Sequence, residues 1–259
     1  MILVLRNCMN LVKEYKNQST WRDWSPYIER LPIDNQDTIF DFGCSLGIVT
    51  KLLAKKASYV IGIENNPELL KEAKRINSDE NISYLNIDLG SSHVQNLPLG
   101  DGIWASFIAA YFPNFEPILN CWKKLLNANG WIALIEMSDL FSHEPLSKFT
   151  QDAFEAYSSR QSKNKEYDFK MGGKLRGFVK NCGLSIIHEE DIFDSELAFE
   201  DPAEPGITKS WESRFDRIVK FREYVGEKNF YKVKSEFIEC LSDRNHKSNT
   251  VVKYIMAKK

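Results

Sequence analysis

The chain has 259 residues, 43% of them apolar and 27% charged, with a formal net charge of −2 at pH 7. That length and apolar content suffice for a large buried core without metal or disulfide support. The balanced charge exerts no general pull on nucleic acid or on an anionic membrane. The five cysteines, Cys8, Cys44, Cys121, Cys182 and Cys240, form no C-x-x-C pair, so neither a zinc site nor a secreted disulfide framework is expected.

The opening MILVLRNCMNLVKEY has a short apolar patch, no basic run before it and too little length to span a membrane. A cytoplasmic location is the expectation. Leu11, Tyr15, Trp21, Trp24, Tyr27, Ile28 and Leu31 recur at helical spacing, and Pro26 interrupts them. Two short helices are predicted there, in an N-terminal segment (1–36) leading into the main domain (37–259).

TIFDFG (38–43) reads as a first strand and residues 46–57 as a helix with Leu46, Val49, Leu52 and Leu53 on one face. SYVIGIE (58–64) is a second strand, apolar almost throughout, as suits a strand covered on both faces. Over 66–77, Asn66 supplies an N-cap and Pro67 the first helical position. Further strands are predicted at 82–88, 102–110 and 131–137, with a helix before the last closed by Gly130.

Such alternation implies a right-handed, parallel α/β sheet. Beyond it, helices are predicted over 145–165 and 169–183 and a strand at LSIIHEEDI. EDPAEPG (200–206) is a break. Trp211, Phe215, Ile218, Phe221 and Tyr224 then mark an amphipathic stretch before the final strand TVVKYIMAKK. The span between these last strands is too long for a turn, so a helical insertion over about 200–245 is expected at the sheet's C-terminal edge.

Gly43-Cys44-Ser45-Leu46-Gly47 fits two patterns. As G-x-S-x-G it is a hydrolase elbow with Ser45 as nucleophile and His246 as a late histidine. Nothing like an H-G-G-G oxyanion loop precedes it, however, and it follows the first strong strand rather than a mid-sheet one. As a glycine turn between strand and helix it suits an anionic or zwitterionic ligand. Glu64 stands at the end of the second strand, 21 residues after Gly43, where an acid accepts ribose hydroxyls. A pyrophosphate fits poorly, because the G-x-G-x-x-G fingerprint lacks its second and third glycines. A nucleoside with a short zwitterionic tail fits better.

The segment DTIFDFGCSLGIVTKLLAKKASYVIGIENNPELLKEAKR resembles the first two motifs of the class I S-adenosylmethionine-dependent methyltransferases of the small-molecule kind. ISYLNIDL is similar to their adenine-contacting segment, and DGIWASFIAAYFPN to the fourth-strand motif. LLNANGWIALIEMSDLF resembles L-L-x-P-G-G-x-L-x-x-x-E, with Ala128-Asn129 in place of Pro-Gly. FYKVKSEFIECLSDRNHKS…VVKYIMAKK resembles the closing helix and strand pair. Ser45 stands where the family usually has glycine.

The resemblance implies a Rossmann-like, seven-stranded, mostly parallel sheet with helices on both faces and a helical insertion or lid. It implies S-adenosylmethionine as cofactor, with Gly43, Cys44, Ser45 and Gly47 at its methionine part, Glu64 and Asn65 at the ribose, Asp88 and Leu89 at the adenine, and Phe107 and Ile108 near the sulfonium. The acceptor would be an O or N atom of a small molecule. His143 and Tyr111 are the candidates for catalytic help, with Trp21, Tyr111, Phe112, His143, Trp211 and Arg214 as substrate contacts. No N-P-P-Y or D-P-P-Y follows the fourth strand, and no basic stripe is present, so neither nucleic acid nor membrane is expected as partner. His93, His188 and His246 are too scattered for a metal site. The competing expectations are a non-catalytic, methyltransferase-like binding protein and the Ser45 hydrolase.

Overall fold

The computed structural model describes residues 2–259, with side chains from Leu11 onward. Two helices lead in, α1 (Ile2–Trp21) and α2 (Ser25–Glu29). The first is a single helix of 20 residues, longer than the short one the sequence suggested. There follow β1 (Thr38–Phe42), α3 (Ile48–Leu53), β2 (Tyr59–Ile63), α4 (Pro67–Ile76), β3 (Ile82–Leu85), β4 (Gly100–Ser106), α5 (Phe115–Lys124) and β5 (Leu126–Ser138). The second half adds β6 (His143–Glu144), α6 (Lys148–Lys163), α7 (Met171–Asn181), β7 (Ser185–Ile192), α8 (Pro205–Arg217), α9 (Val219–Val225), α10 (Glu227–Leu241), β8 (Lys247–Ser248) and β9 (Val251–Lys258).

The main sheet has seven strands in the order β3-β2-β1-β4-β5-β9-β7. β1 to β5 pair in parallel, while β9 runs antiparallel between β5 and β7. Chain order reverses between β1 and β4, the switch point at which open α/β sheets bind ligands. The small β6–β8 ribbon stands apart from this sheet.

Strand alternation divides the core into two layers. Ile39, Trp104, Ala133 and Tyr254 face one side, against Ile28, Leu53 and the aromatic residues of α8 to α10. Phe40, Phe42, Ile61, Ile103 and Leu134 face the other, against Trp122, Leu175 and Val179. α4 begins as its sequence requires: the Asn66 side chain accepts from the backbone N–H of Glu68 and Leu69, with Pro67 at the first turn.

Three local expectations are corrected. The helix predicted over 46–57 is regular only from Ile48 to Leu53 and ends in turns. The helix before β5 stops at Lys124, and Gly130 lies inside β5 rather than closing a helix; Asn129 takes the positive φ (66°) there. The fourth strand ends at Ser106, because Phe107 turns to φ 55° and 109–111 coil into a short 3-10 helix.

Candidate functional site

β1 ends in a turn whose conformation explains its glycines. Gly43 has φ 72°, and a Cβ there would lie 2.3 Å from Ile108 Cγ2. Gly47 has φ 75°, and a Cβ there would lie 2.1 Å from the Tyr84 hydroxyl oxygen. Only glycine meets both demands without displacing a neighbour. Ser45 lies between them at φ 48°, a left-handed conformation for a residue with a side chain.

Glu64, at the end of β2, ties this turn to its neighbour. Its Oε2 accepts from Ser45 N (3.1 Å) and its Oε1 from Asn66 N (2.8 Å). Burial raises its carboxyl above the ordinary value, although these backbone donors oppose the rise. Beneath the turn, Asp41 is buried and accepts from the Thr50 hydroxyl (2.6 Å). Desolvation lifts its carboxyl to about 7, against the effect of that hydrogen bond. Asp88 follows β3 and accepts from Gly90 N (2.9 Å).

The turn after β4 carries Phe107, Ile108, Tyr111 and Phe112. It is held from below by Glu136 of β5, fully buried, which accepts from Ala110 N and Met137 N (both 3.0 Å). With no cation bonded to it among the described residues, burial raises the Glu136 carboxyl to about 7. Asp168 N donates to Ala110 O (2.9 Å). This link sets Tyr167 beside Tyr111, ring centres 5.0 Å apart and nearly perpendicular.

A roof completes the site. Arg22, just past α1, donates through Nε to Asp194 (2.5 Å) and through Nη2 to Glu196 (2.6 Å). Arg214 of α8 donates to the other oxygen of Glu196 (2.6 Å), which also accepts from the Ser210 hydroxyl (2.9 Å). Burial acts to raise the Glu196 carboxyl, but the two guanidiniums and their hydrogen bonds outweigh it and hold it at about 2. The guanidinium of Arg22 also lies over the Phe107 ring, 4.9 Å from its centre.

Between turn and roof lies a cavity of about 1040 Å³, at the upper end of the range for small-molecule sites. Gly43, Cys44, Ser45, Glu64, Asn65, Asp88, Leu89, Phe107 and Ile108 all line it, together with Tyr111, Phe112 and Arg214. Gly47 does not: it shapes the turn from behind, against Tyr84. Burial raises the Cys44 thiol well above its ordinary value, so it packs there protonated.

Besides Gly47, three residues expected at the site lie outside the lining. His143 is buried in the β6–β8 ribbon, its Nδ1 2.9 Å from His246 Nε2 and its ring against Trp211 and Phe237. Desolvation, with His246 adding to it, lowers its imidazole to about 3. It is neutral and is not among the residues that line the cavity. Trp211 is fully buried with Nε1 donating to Glu196 O (2.9 Å), so it supports the roof from inside the core. Trp21 packs against Gly206. No histidine lines the cavity among the described residues, which leaves Ser45 without the base a hydrolase requires.

Sequence reasoning missed Tyr15, Arg22 and Tyr167, all of which line the cavity. Leu11, Tyr15, Gln18 and Arg22 recur every three or four residues, one stripe of α1. That spacing was legible, but not the direction the stripe faces. Tyr167 had no local signal.

Comparison with known proteins bears on the domain and on the fold. Residues 40–134 match a family model described as a methyltransferase domain. A 23S rRNA (uracil(1939)-C(5))-methyltransferase of Francisella tularensis subsp. novicida is 39% identical over 59 residues, 23% of this chain and 13% of that protein's length. The chain therefore spans only a small part of that relative. Among solved structures, a Bacillus halodurans C-125 protein classed as a methyltransferase superposes with a TM-score of 0.61 at 14% identity, covering 92% of this chain and 98% of that one. Coclaurine N-methyltransferase, bound to N-methylheliamine and S-adenosylhomocysteine, gives 0.56 at 15% identity over 90% and 71%. These structural likenesses concern the fold.

Proposed function

Residues 40–134 match a methyltransferase-domain model, and we propose that the protein is a class I S-adenosylmethionine-dependent methyltransferase acting on a small molecule held in the roofed cavity. The observation that carries this reading is the convergence of the glycine turn, Glu64 and the 107–112 turn on one cavity closed from above by Arg22, Glu196 and Arg214.

Gly43 and Ser45 would face the cofactor's amino-acid end, Glu64 its ribose hydroxyls and Asp88 with Leu89 its base. The cofactor supplies an electrophilic methyl on a cationic sulfur. The acids Asp41, Glu64 and Asp88 suit a ligand of that charge. Phe107 and Ile108 would give it an apolar wall, and the turn that Glu136 holds through Ala110 N carries Tyr111 at the cavity. Rate enhancement in such a transfer comes mainly from holding the two reactants in line. No imidazole lines the cavity among the described residues, so a proton lost by the acceptor would pass to a carboxylate, a tyrosine or water.

The wall favours a small acceptor over RNA. Arg22, Arg217 and Lys220 are each engaged by carboxylates, Asp194 with Glu196, Glu14 and Glu166 respectively. Phosphate-backbone binding needs cations free to replace counterions. The names of rRNA-modifying relatives support the other reading, a nucleic-acid acceptor.

Titration with S-adenosylmethionine and S-adenosylhomocysteine, with NAD as control, tests the proposal. Micromolar binding of the first two, weakened at least tenfold in Glu64→Ala, is expected. Absence of binding would sink it. Salt-dependent binding of a structured RNA, at physiological ionic strength, would move the acceptor to nucleic acid.

A further inference from the structure

Away from the glycine turn the cavity is lined by cations and carboxylates together, Arg214, Arg217 and Lys220 with Glu14 and Glu166, and one donor among them is left over. Arg214 uses Nη2 on Glu196, while its Nε is buried and has no partner among the described residues. Its side chain is 18% exposed and lines the cavity, with its guanidinium 4.8 Å from the centre of the Trp211 ring. Stacking on that ring and the bond to Glu196 fix the plane of the guanidinium and leave an edge over. Tyr111 and Tyr167 line the same cavity. Burial raises the Tyr167 phenol well above its ordinary value, so it remains an O–H donor at neutral pH.

An unpartnered buried N–H costs roughly 1–3 kcal/mol, and a ligand oxygen that met the guanidinium would offset that cost. Arg22 is bonded to two carboxylates, and Arg217 and Lys220, like Arg214, each pair with one; of these four, Arg214 alone has a buried nitrogen without a partner among the described residues. One remaining guanidinium edge matches one planar, singly charged oxyanion, since Arg and carboxylate pair through two parallel N–H···O bonds.

We propose that the acceptor is a carboxylate-bearing small molecule, anchored by Arg214 with the hydroxyls of Tyr111 and Tyr167. This rests on the methyltransferase reading of the cavity and names the chemical class of its substrate. Arg214 acts as a binding and selecting group. The transferred methyl need not go to the carboxylate itself.

The test uses the full chain loaded with S-adenosylhomocysteine and titrated with benzoate, phenylacetate and hexanoate, each beside its primary amide. Amide and acid share shape and differ in charge. At least one acid is expected to bind tenfold or more tightly than its amide. Arg214→Met should abolish that preference and Tyr167→Phe reduce it about threefold, with S-adenosylhomocysteine affinity unchanged within twofold. Arg214→Lys, which keeps the charge beside Glu196 but loses the planar fork, should lose most of the preference and carries the test if the Met variant does not fold.

Equal binding of acids and amides, or a preference that survives Arg214→Met, overturns the proposal. So does a tenfold loss of S-adenosylhomocysteine affinity in that variant with acid binding intact, which would assign Arg214 to the cofactor. If S-adenosylhomocysteine fails to bind the wild type, the methyltransferase reading falls. The acid–amide comparison in the unloaded protein still decides the role of Arg214.

Discussion

Arg22 and Glu196, 174 residues apart in the chain, meet at 2.6 Å in the roof of the cavity. Glu196 is fully buried and also holds Arg214 and Ser210, so it joins the end of α1 to α8. Removing one member of a buried ion pair leaves the others uncompensated, at a cost of about 3–5 kcal/mol. Glu196→Ala is therefore expected to lose stability of that order in urea unfolding. A loss under about 1 kcal/mol would mean that the roof is held by packing alone. With its folded value held below the unfolded one, Glu196 stabilises fully above the ordinary carboxylate range, and that contribution disappears as pH falls toward 2.

Glu136 has the opposite dependence. Burial lifts its folded value to about 7, so between its unfolded value and 7 the native state binds the extra proton. Stability from this group therefore falls as pH rises through that window and levels off above it. The shift corresponds to about 3 kcal/mol. Unfolding free energies at pH 5 and pH 8 should differ less in Glu136→Gln than in the wild type by an amount of this order. Parallel curves would show that Glu136 keeps its charge at both.

Two glycine substitutions should separate cleanly. Gly47→Ala places a Cβ at positive φ and against the Tyr84 hydroxyl, a combination expected to cost about 1–3 kcal/mol. Gly177→Ala, inside α7 with nothing within 4 Å of its new Cβ, should be neutral or stabilise by about 0.5–1 kcal/mol. Melting temperatures of the pair check both signs.

His143 provides a contrast between structure and chemistry. Replacing it by Asn removes a ring packed against Trp211, Phe237 and His246, and a drop in melting temperature is expected. S-adenosylhomocysteine affinity, measured below that temperature, should change less than twofold. A tenfold loss would put the β6–β8 ribbon in communication with the cavity.

What was legible in the sequence was chiefly local. The Asn66–Pro67 start of α4, the apolar run of β2 and the glycine turn are fixed by short-range sterics and capping, so pattern alone reached them. Asn129 and Gly130 were misread because either residue tolerates positive φ and only pairing with β4 selects which adopts it. His143 and Trp211 looked like pocket residues from their neighbourhood. Their orientation depends on α8 and α10 packing over β6, a relation among segments nearly 100 residues apart. Tyr15 and Arg22 were on a visible stripe whose target lies in the 194–196 segment and the 107 turn, and no local signal names that target.

The place of β9 in the sheet has a consequence for the order of assembly. β7 joins the other strands only through β9, although it is made some sixty residues earlier. Until residues 251–258 arrive, both β5 and β7 present open hydrogen-bonding edges to other chains. Such long-range closure is intrinsically slow. A nascent chain arrested in α10 would thus carry three adhesive edges, one on β5 and two on β7, where the finished sheet has one at that end, and would be a species in need of a chaperone.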